Sequence, residues 1–144
     1  MTICQLTPAS CTLACFESFL GQNGICITQR QMKKMRPDIC GNLNDVGRCV
    51  YTHHYSKVGE AFGFTCSEVT GPYVPFPSYP TSAILMGTDV LYGTPHSLLW
   101  IYINKSNGVG FAMNPAAAEH YFRFHLSKID EWKCKLWRLR IGAP

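Results

Sequence analysis

A β-hairpin predicted between residues 96 and 113 constrains the fold of this chain more than any other segment. Its first strand, His96 to Ile103, is rich in the aliphatic and aromatic residues that favour strands. Asn107 and Gly108 then form the dipeptide that tight hairpin turns prefer. Val109 to Met113 returns as the antiparallel partner. The chain is therefore expected to contain an antiparallel sheet.

Helical patterns come before this hairpin, and further strands surround it. Apolar residues at helical spacing predict a helix from Cys11 to Leu20. Thr28 and Gln31 match a capping box that opens a second helix, which Pro37 closes. The other predicted elements are a helix over 51–61, strands over 64–69, 82–86, 121–126 and 136–141, and a brief helix over 127–132. This segregation predicts an α+β fold, with N-terminal helices packed on a C-terminal antiparallel sheet, in a single domain of residues 1–144.

The composition is that of an ordinary globular domain. The chain is 47% hydrophobic and 15% charged, which is too apolar for a disordered protein. Its net charge of +4 is mild and its basic residues alternate with apolar ones, so neither nucleic acid nor a membrane is an expected partner. No apolar run is long enough for a membrane span, and the first residues do not resemble a signal peptide. We expect a protein that acts in a reducing cytosol, including that of a target cell into which it is secreted or delivered without a cleavable signal.

The eight cysteines leave three interpretations open. Their even number is compatible with a disulfide framework, although a chain of this length folds without bridges. A zinc site is a second interpretation, but no Cys-x-x-Cys pair occurs and the His53–His54 pair lacks a further ligand at usual metal spacing. Free, reduced thiols are the favoured interpretation, and neither a metal nor a cofactor is predicted.

Cys11 occupies a position at which a thiol becomes reactive. Pro8 stiffens the approach and Ser10 is a good N-cap, so Cys11 falls in the first turn of the predicted helix. The helix dipole and the free backbone N–H groups there favour the thiolate, which attacks carbonyl carbon. Gln5 can donate its amide N–H to the resulting oxyanion. A buried structural thiol is the competing interpretation, unless a base and an orienting group lie nearby.

His96 and Asn114 are the predicted base and orienting group. His96 opens the first strand of the hairpin and Asn114 follows the second, so both lie at its open end. The Asn114 side-chain oxygen can accept the imidazole N–H, which leaves the other ring nitrogen to face a thiol. Together with Cys11, these residues would supply the nucleophile, base and orienting group that thiol catalysis needs.

A set of short motifs spread over most of the chain accompanies these residues. They are Gln5 and Cys11 separated by five residues, Ala14, Asn23-Gly24-Ile25 before the capped helix, Ala61-Phe62-Gly63-Phe64, the apolar His96 strand, Asn114-Pro115, and Trp132 near the C-terminus. In this combination the chain resembles the bacteriocin-processing double-glycine peptidases of the papain-like superfamily. The resemblance implies a papain-like cysteine protease fold.

The resemblance also implies a role for each candidate residue. Cys11 would be the nucleophile, His96 the general base and then acid, and Asn114 the group that orients His96. Gln5 and the backbone N–H of Cys11 would form the oxyanion hole. Thr12 stands where the family usually has Gly and is expected to narrow the cleft or change specificity. Asn114 stands where the family usually has Asp, so a different pH profile is expected.

The implied reaction is acyl transfer through an acyl-cysteine. The first prediction is a cysteine peptidase that hydrolyses a peptide bond in a protein target after small residues such as glycine. The proline- and aromatic-rich segment Gly71 to Tyr79 is expected to form one wall of the cleft. The same residues are compatible with a protein glutamine deamidase or a transamidase, and an inactive papain-like binding module is a further alternative.

The biological role is predicted by analogy. Family members are usually fused to a membrane transporter, and this sequence contains neither membrane helices nor an ATPase. Bacterial toxins and effectors with papain-like domains of this size act on proteins of a host or competitor, and we expect a toxin or effector domain of that kind. A cognate inhibitor or immunity protein that covers the cleft is the expected partner besides the protein substrate.

Overall fold

A computed structural model describes residues 11–42, 50–116 and 121–142 of the chain. The helices are α1 (Cys11–Gln22), α2 (Gln29–Met35), α3 (Pro37–Cys40), α4 (Tyr55–Phe62) and α5 (Ser127–Glu131), and a short 3-10 helix covers Thr52–His54. The strands are β1 (Phe64–Glu68), β2 (Ser82–Thr88), β3 (His96–Asn104), β4 (Val109–Met113), β5 (Tyr121–His125) and β6 (Lys135–Ile141). Helices and strands are thus segregated along most of the chain, which confirms the predicted α+β class.

The six strands form one sheet in the order β1-β6-β2-β3-β4-β5, and every neighbouring pair is antiparallel. The predicted hairpin is its β3–β4 pair, in which Leu99 pairs with Met113 and the register shifts between Trp100 and Tyr102. The last strand, β6, inserts between β1 and β2. This insertion is a long-range pairing that local sequence patterns do not specify.

The two faces of the sheet are covered differently. On one face α1 buries Phe16 and Phe19 against Leu85 and Leu99, together with residues of α2, α3 and α4. The opposite face carries a second apolar cluster around Trp100, which the loop before β2 and helix α5 cover. Because alternate residues of a strand point to opposite faces, each central strand contributes to both clusters.

Two local predictions can be compared directly with the structure. The capping box is confirmed, because the Thr28 hydroxyl accepts from the Gln31 N–H while the Gln31 side chain accepts from the Thr28 N–H. Pro37 closes α2 as predicted, but it also occupies the first position of α3, where its missing N–H costs nothing. Within the described ranges, no helix is long and apolar enough to cross a membrane.

Candidate active site

Hydrogen bonds between buried hydroxyls fix the first turn of α1 against the start of β3. The Thr12 hydroxyl lies 2.8 Å from the Ser97 hydroxyl and 3.2 Å from the Tyr55 phenol. All three residues are buried, so each hydroxyl needs a partner inside the protein. The contact sets the position of Cys11, the first residue of α1, relative to His96, the first residue of β3.

The Cys11 thiol lies within interaction distance of His96, and this pair is the chemical centre of the site. Burial alone raises the pKa of the Cys11 thiol. The hydrogen bond with His96, the charge of that ring and hydrogen bonds with Ser97 outweigh burial and bring the pKa below its usual value. A lowered pKa increases the fraction of thiolate, which is the nucleophilic form.

The pKa of His96 shifts in the opposite direction to that of Cys11. Burial lowers the pKa of the imidazole, but hydrogen bonds with Cys11 and Asn114 and the charge of the thiolate outweigh it and raise the pKa above its usual value. The two shifts together favour a thiolate–imidazolium ion pair, since each charged group stabilises the other.

Asn114 holds the imidazole in the orientation that this pair needs. Its side-chain oxygen lies 2.8 Å from His96 Nε2, which leaves Nδ1 as the ring nitrogen available to Cys11. The same oxygen accepts the Ala116 N–H at 3.1 Å, and the side-chain nitrogen donates to the Tyr92 hydroxyl at 2.8 Å. These two additional bonds fix which end of the amide faces His96. The predicted contact between His96 and Asn114 is therefore present.

The register of the hairpin explains why residues so far apart in sequence meet. Leu99 pairs with Met113, so Asn114 comes opposite Leu98, two residues from His96. At this offset on one side of the sheet, side chains still touch across an antiparallel pair when one of them is long or aromatic. The sequence alone predicted this offset from the position of the turn.

Two residues of the site were not predicted. The ring of Tyr92 packs edge-on against His96 with centroids 4.8 Å apart, in addition to accepting from Asn114. Ser97 contacts Cys11 and Thr12. Both have a signal in the sequence: Tyr92 lies in the turn immediately before His96, and Ser97 is a polar residue inside an otherwise apolar strand.

Other predictions for this region fall on residues outside the described ranges. Gln5, the candidate oxyanion donor, belongs to the first ten residues, as do Pro8 and Ser10. The roles predicted for them stay predictions. The backbone N–H groups at the start of α1 belong to a twelve-residue helix, whose N-terminal end favours negative charge.

An open cleft of about 1050 Å³ adjoins the Cys11–His96 pair. One wall is the segment 50–53, where the Tyr51 and His53 rings stack with centroids 5.5 Å apart. The floor includes Gly87 and Trp137, and the far side carries Lys133 and Lys135. The lining is thus partly apolar and partly charged.

The expected role of Gly71 to Tyr79 as a cleft wall is wrong. This segment contributes no residue to the lining of the cleft. Val74 packs into the apolar cluster on the opposite face of the sheet, and the Phe76 ring lies edge-on to Trp100 with centroids 6.1 Å apart. Val74 and Phe76 thus cover a sheet face that no long helix protects, whereas Tyr79 packs against the cluster on the α1 side and Tyr73 is exposed.

The cysteines of the described residues are free thiols. They are Cys11, Cys15, Cys26, Cys40, Cys66 and Cys134. Cys4 and Cys49 lie outside the described ranges. Within those ranges, no group of three or more His, Cys, Asp or Glu side chains is placed to hold a metal ion.

The chain matches no protein-family model and no curated protein sequence. The geometry of the site is therefore the basis on which a function can be proposed.

Proposed function

We propose that this protein is a papain-like cysteine hydrolase that cleaves a peptide bond in a protein target. One observation carries the proposal: beside an open cleft, Asn114 is hydrogen-bonded to His96, and His96 in turn interacts with the Cys11 thiol. In such an array the thiol is the nucleophile, the imidazole moves the proton, and the amide keeps the imidazole in place.

The reaction follows from the protonation states of the pair. The Cys11 thiolate attacks the carbonyl carbon, and the carbonyl oxygen becomes an oxyanion near the start of α1. The His96 imidazolium gives its proton to the leaving amine, which departs and leaves an acyl-cysteine. Water then attacks the acyl carbon while neutral His96 takes a proton from it. The tetrahedral intermediate expels the Cys11 thiolate, which releases the carboxylic acid and restores the thiolate–imidazolium pair. The Cys11 N–H and the Gln5 amide are the proposed oxyanion donors.

The papain-like fold is proposed from the placement of the three residues. The nucleophile lies on the first turn of the N-terminal helix, whereas the base and the orienting residue come from an antiparallel sheet packed against that helix. The polar contacts between the first turn and β3 hold the helix and the sheet together at the point of reaction.

Thr12 and the open cleft support a preference for small residues before the scissile bond. The Thr12 side chain lines the cleft next to the thiol, so it occupies space that a glycine at this position would leave empty. An extended polypeptide with a glycine at the reacting carbonyl needs least room there. The cleft extends from Cys11 to Lys135, which favours an extended protein or peptide as substrate over a compact metabolite.

We further propose that the domain acts as a bacterial toxin or effector in the cytosol of a target cell. A reducing compartment preserves the free thiol on which the chemistry depends. An immunity or inhibitor protein that occupies the cleft would protect the producing cell.

The test is a search for products of a Cys11-dependent reaction. Lysate proteins are incubated with wild type, Cys11→Ala and the matched control Cys26→Ala, which removes an exposed thiol elsewhere. New protein N-termini are then identified by mass spectrometry. We expect the same new termini with wild type and Cys26→Ala, and none with Cys11→Ala.

Other outcomes separate the remaining functions. Conversion of glutamine to glutamate without new termini would replace the peptidase by a deamidase that uses the same site. Capture of one protein by both wild type and Cys11→Ala, without any chemical change, would indicate an inactive binding module. Identical products with wild type and Cys11→Ala would contradict the assignment of the nucleophile.

A further inference from the structure

The cleft carries charged side chains that the proposed catalytic chemistry does not use. Lys133 and Lys135 are exposed and line its far side, and Asp89 lies at the end of the neighbouring strand. The ion pairs found in the described ranges are Arg36–Asp38 and Lys128–Glu131, so neither cleft lysine is neutralised by a described carboxylate. Two lysines against one aspartate give this side of the cleft a net positive charge.

The sheet register fixes the distance between Lys135 and the reacting thiol. Lys135 pairs with Gly87, and Gly87 pairs with Ser97, which contacts Cys11. Lys135 is thus two strand spacings from Ser97, about 10 Å. Because paired residues share a face, the side chains of Lys135 and Ser97 point to the same face of the sheet.

Gly87 leaves room for the Trp137 ring between Ser97 and Lys135. A Cβ atom at this position would lie 3.0 Å from the Trp137 ring, which is closer than such contacts normally are. Because the glycine has no side chain, the Trp137 ring can lie over the strand and form a flat apolar floor. The result is a short channel with the thiol at one end and the lysines at the other.

Hydrogen bonds hold the turn before β6, which contains Lys133 and leads to Lys135, next to the end of β2. Thr88 donates its hydroxyl to the Trp132 carbonyl, next to Lys133. Lys133 itself has a φ of 51°, a left-handed conformation that glycine or asparagine adopts more readily than lysine. Its N–H bonds the Asp130 carbonyl at 3.0 Å. The position of both lysines is therefore set by the fold on either side of them.

We propose that Lys133 and Lys135 form a subsite for an acidic side chain of the substrate, about two or three residues from the scissile bond. The spacing follows from the rise of about 3.3 Å per residue in an extended chain, which covers the distance from Ser97 to Lys135 in that number of steps. The inference rests on the proposed function and names its substrate class: an extended acidic segment of a protein.

The experiment uses haloketone and haloacetyl peptides that alkylate Cys11. The thiolate displaces the halide and forms a thioether, so no hydrolysis is needed. N-iodoacetyl peptides extend from the thiol in one chain direction and peptidyl chloromethyl ketones in the other. Each series carries aspartate or asparagine at the second or third residue. The alkylation rate at Cys11 is followed by mass spectrometry and divided by the rate with iodoacetamide, which corrects for thiol reactivity.

In wild type we expect the aspartyl probe of at least one series to react about threefold to tenfold faster than its asparaginyl counterpart, since two lysines attract the carboxylate more strongly than the single partner of one exposed ion pair does. The preference should disappear in the double variant Lys133→Gln/Lys135→Gln and persist in Lys133→Arg/Lys135→Arg. Lys105→Gln is the matched control, about 25 Å from His96 at the far end of β3. Asp89→Asn should increase the preference.

Equal rates for the aspartyl and asparaginyl probes in both series of wild type would overturn the inference. A preference that survives in the double glutamine variant would overturn it as well. The outcome is separate from that of the proposed function. A preference that depends on the lysines without any processed protein would retain the acidic subsite and reject the hydrolase. Protein cleavage together with equal rates for the aspartyl and asparaginyl probes would retain the hydrolase and reject the acidic subsite.

Discussion

Cys11 and Cys15 lie one turn apart on α1, but in two regions of opposite character. The first turn faces the start of β3, where His96 and Ser97, together with Thr12 of the helix itself, lie near the Cys11 thiol. We call this region the polar end of the site. The second turn enters the apolar cluster, and there the Cys15 thiol donates to the Ser97 carbonyl at 3.8 Å. Cys11 is 4% exposed and Cys15 1% exposed, so burial alone does not separate them.

The pKa values of the two thiols nevertheless shift in opposite directions. Burial raises the pKa of Cys15 far above its usual value, and the nearby Cys11 adds to the rise. Burial also raises the pKa of Cys11, but hydrogen bonds and the charge of His96 reverse the net effect. The difference in pKa between the two thiols is thus determined by the partners that β3 supplies to Cys11, because both positions are similarly buried.

The largest expected effect is the loss of activity in Cys11→Ala. We expect kcat/KM to fall by at least about a thousandfold, because no other group replaces the nucleophile. Cys15→Ala should retain activity within about threefold, since its thiol stays protonated and faces the core. Turnover of a cleaved protein identified as above is the measurement. Comparable decreases of kcat/KM in both variants would contradict the proposal that Cys11 is the nucleophile and Cys15 a structural thiol.

The next prediction concerns the group that orients the imidazole. Asn114→Ala should lower kcat/KM by about a hundredfold, which is within the range for groups that support acid–base catalysis. The variant removes one of the hydrogen bonds that raise the pKa of His96. His96 should then lose its proton at lower pH, and the basic limb of the pH–rate profile should move to lower pH.

Asn114→Asp tests the same contact in the other direction. A carboxylate adds negative charge beside the imidazolium, so the pKa of His96 should rise further and the basic limb should move to higher pH. NMR titration of the His96 ring gives the direction independently of turnover. A basic limb that stays in place in both variants would contradict the role of Asn114.

Much of this polar end could be predicted from the sequence because its residues mark the boundaries of local elements. Cys11 lies in the first turn of the described part of α1, while His96 and Asn114 flank a single hairpin with a recognisable turn. Strand alternation and turn dipeptides act over a few residues, so the hairpin and its offset follow from local chemistry.

The cleft walls could not be predicted in the same way. Lys135 reaches the site because β6 pairs with β2, a contact between residues that are almost fifty positions apart. The proline-rich segment shows the same limit. Its composition indicates an ordered loop, but the choice of sheet face depends on where α1 already packs. Long-range pairing and the competition for apolar surface determine both outcomes.

A third prediction measures stability in the apolar region. Cys15→Ser places a hydroxyl where the side chain is almost completely buried, and we expect a loss of about 2 kcal/mol in the free energy of unfolding. Cys11→Ser should cost about 1 kcal/mol or less, because Ser97 and His96 can accept or donate a hydrogen bond to the new hydroxyl. Urea denaturation of the two variants gives the comparison. Equal losses would mean that the first turn is as apolar as the second.

The smallest effect is expected for Tyr92→Phe, at the outer edge of the polar region. The change keeps the ring that packs against His96 but removes the hydroxyl that accepts from the Asn114 amide. Because Tyr92 is 52% exposed, water can replace the lost acceptor, and the cost should be limited to about 1 kcal/mol, a threefold to fivefold decrease in kcat/KM. Tyr92→Ala should decrease kcat/KM further, since it also exposes the bond between His96 and Asn114. If Tyr92→Phe and Tyr92→Ala were equally impaired, the hydroxyl rather than the ring would hold the array together, and the polar end of the site would extend to the surface.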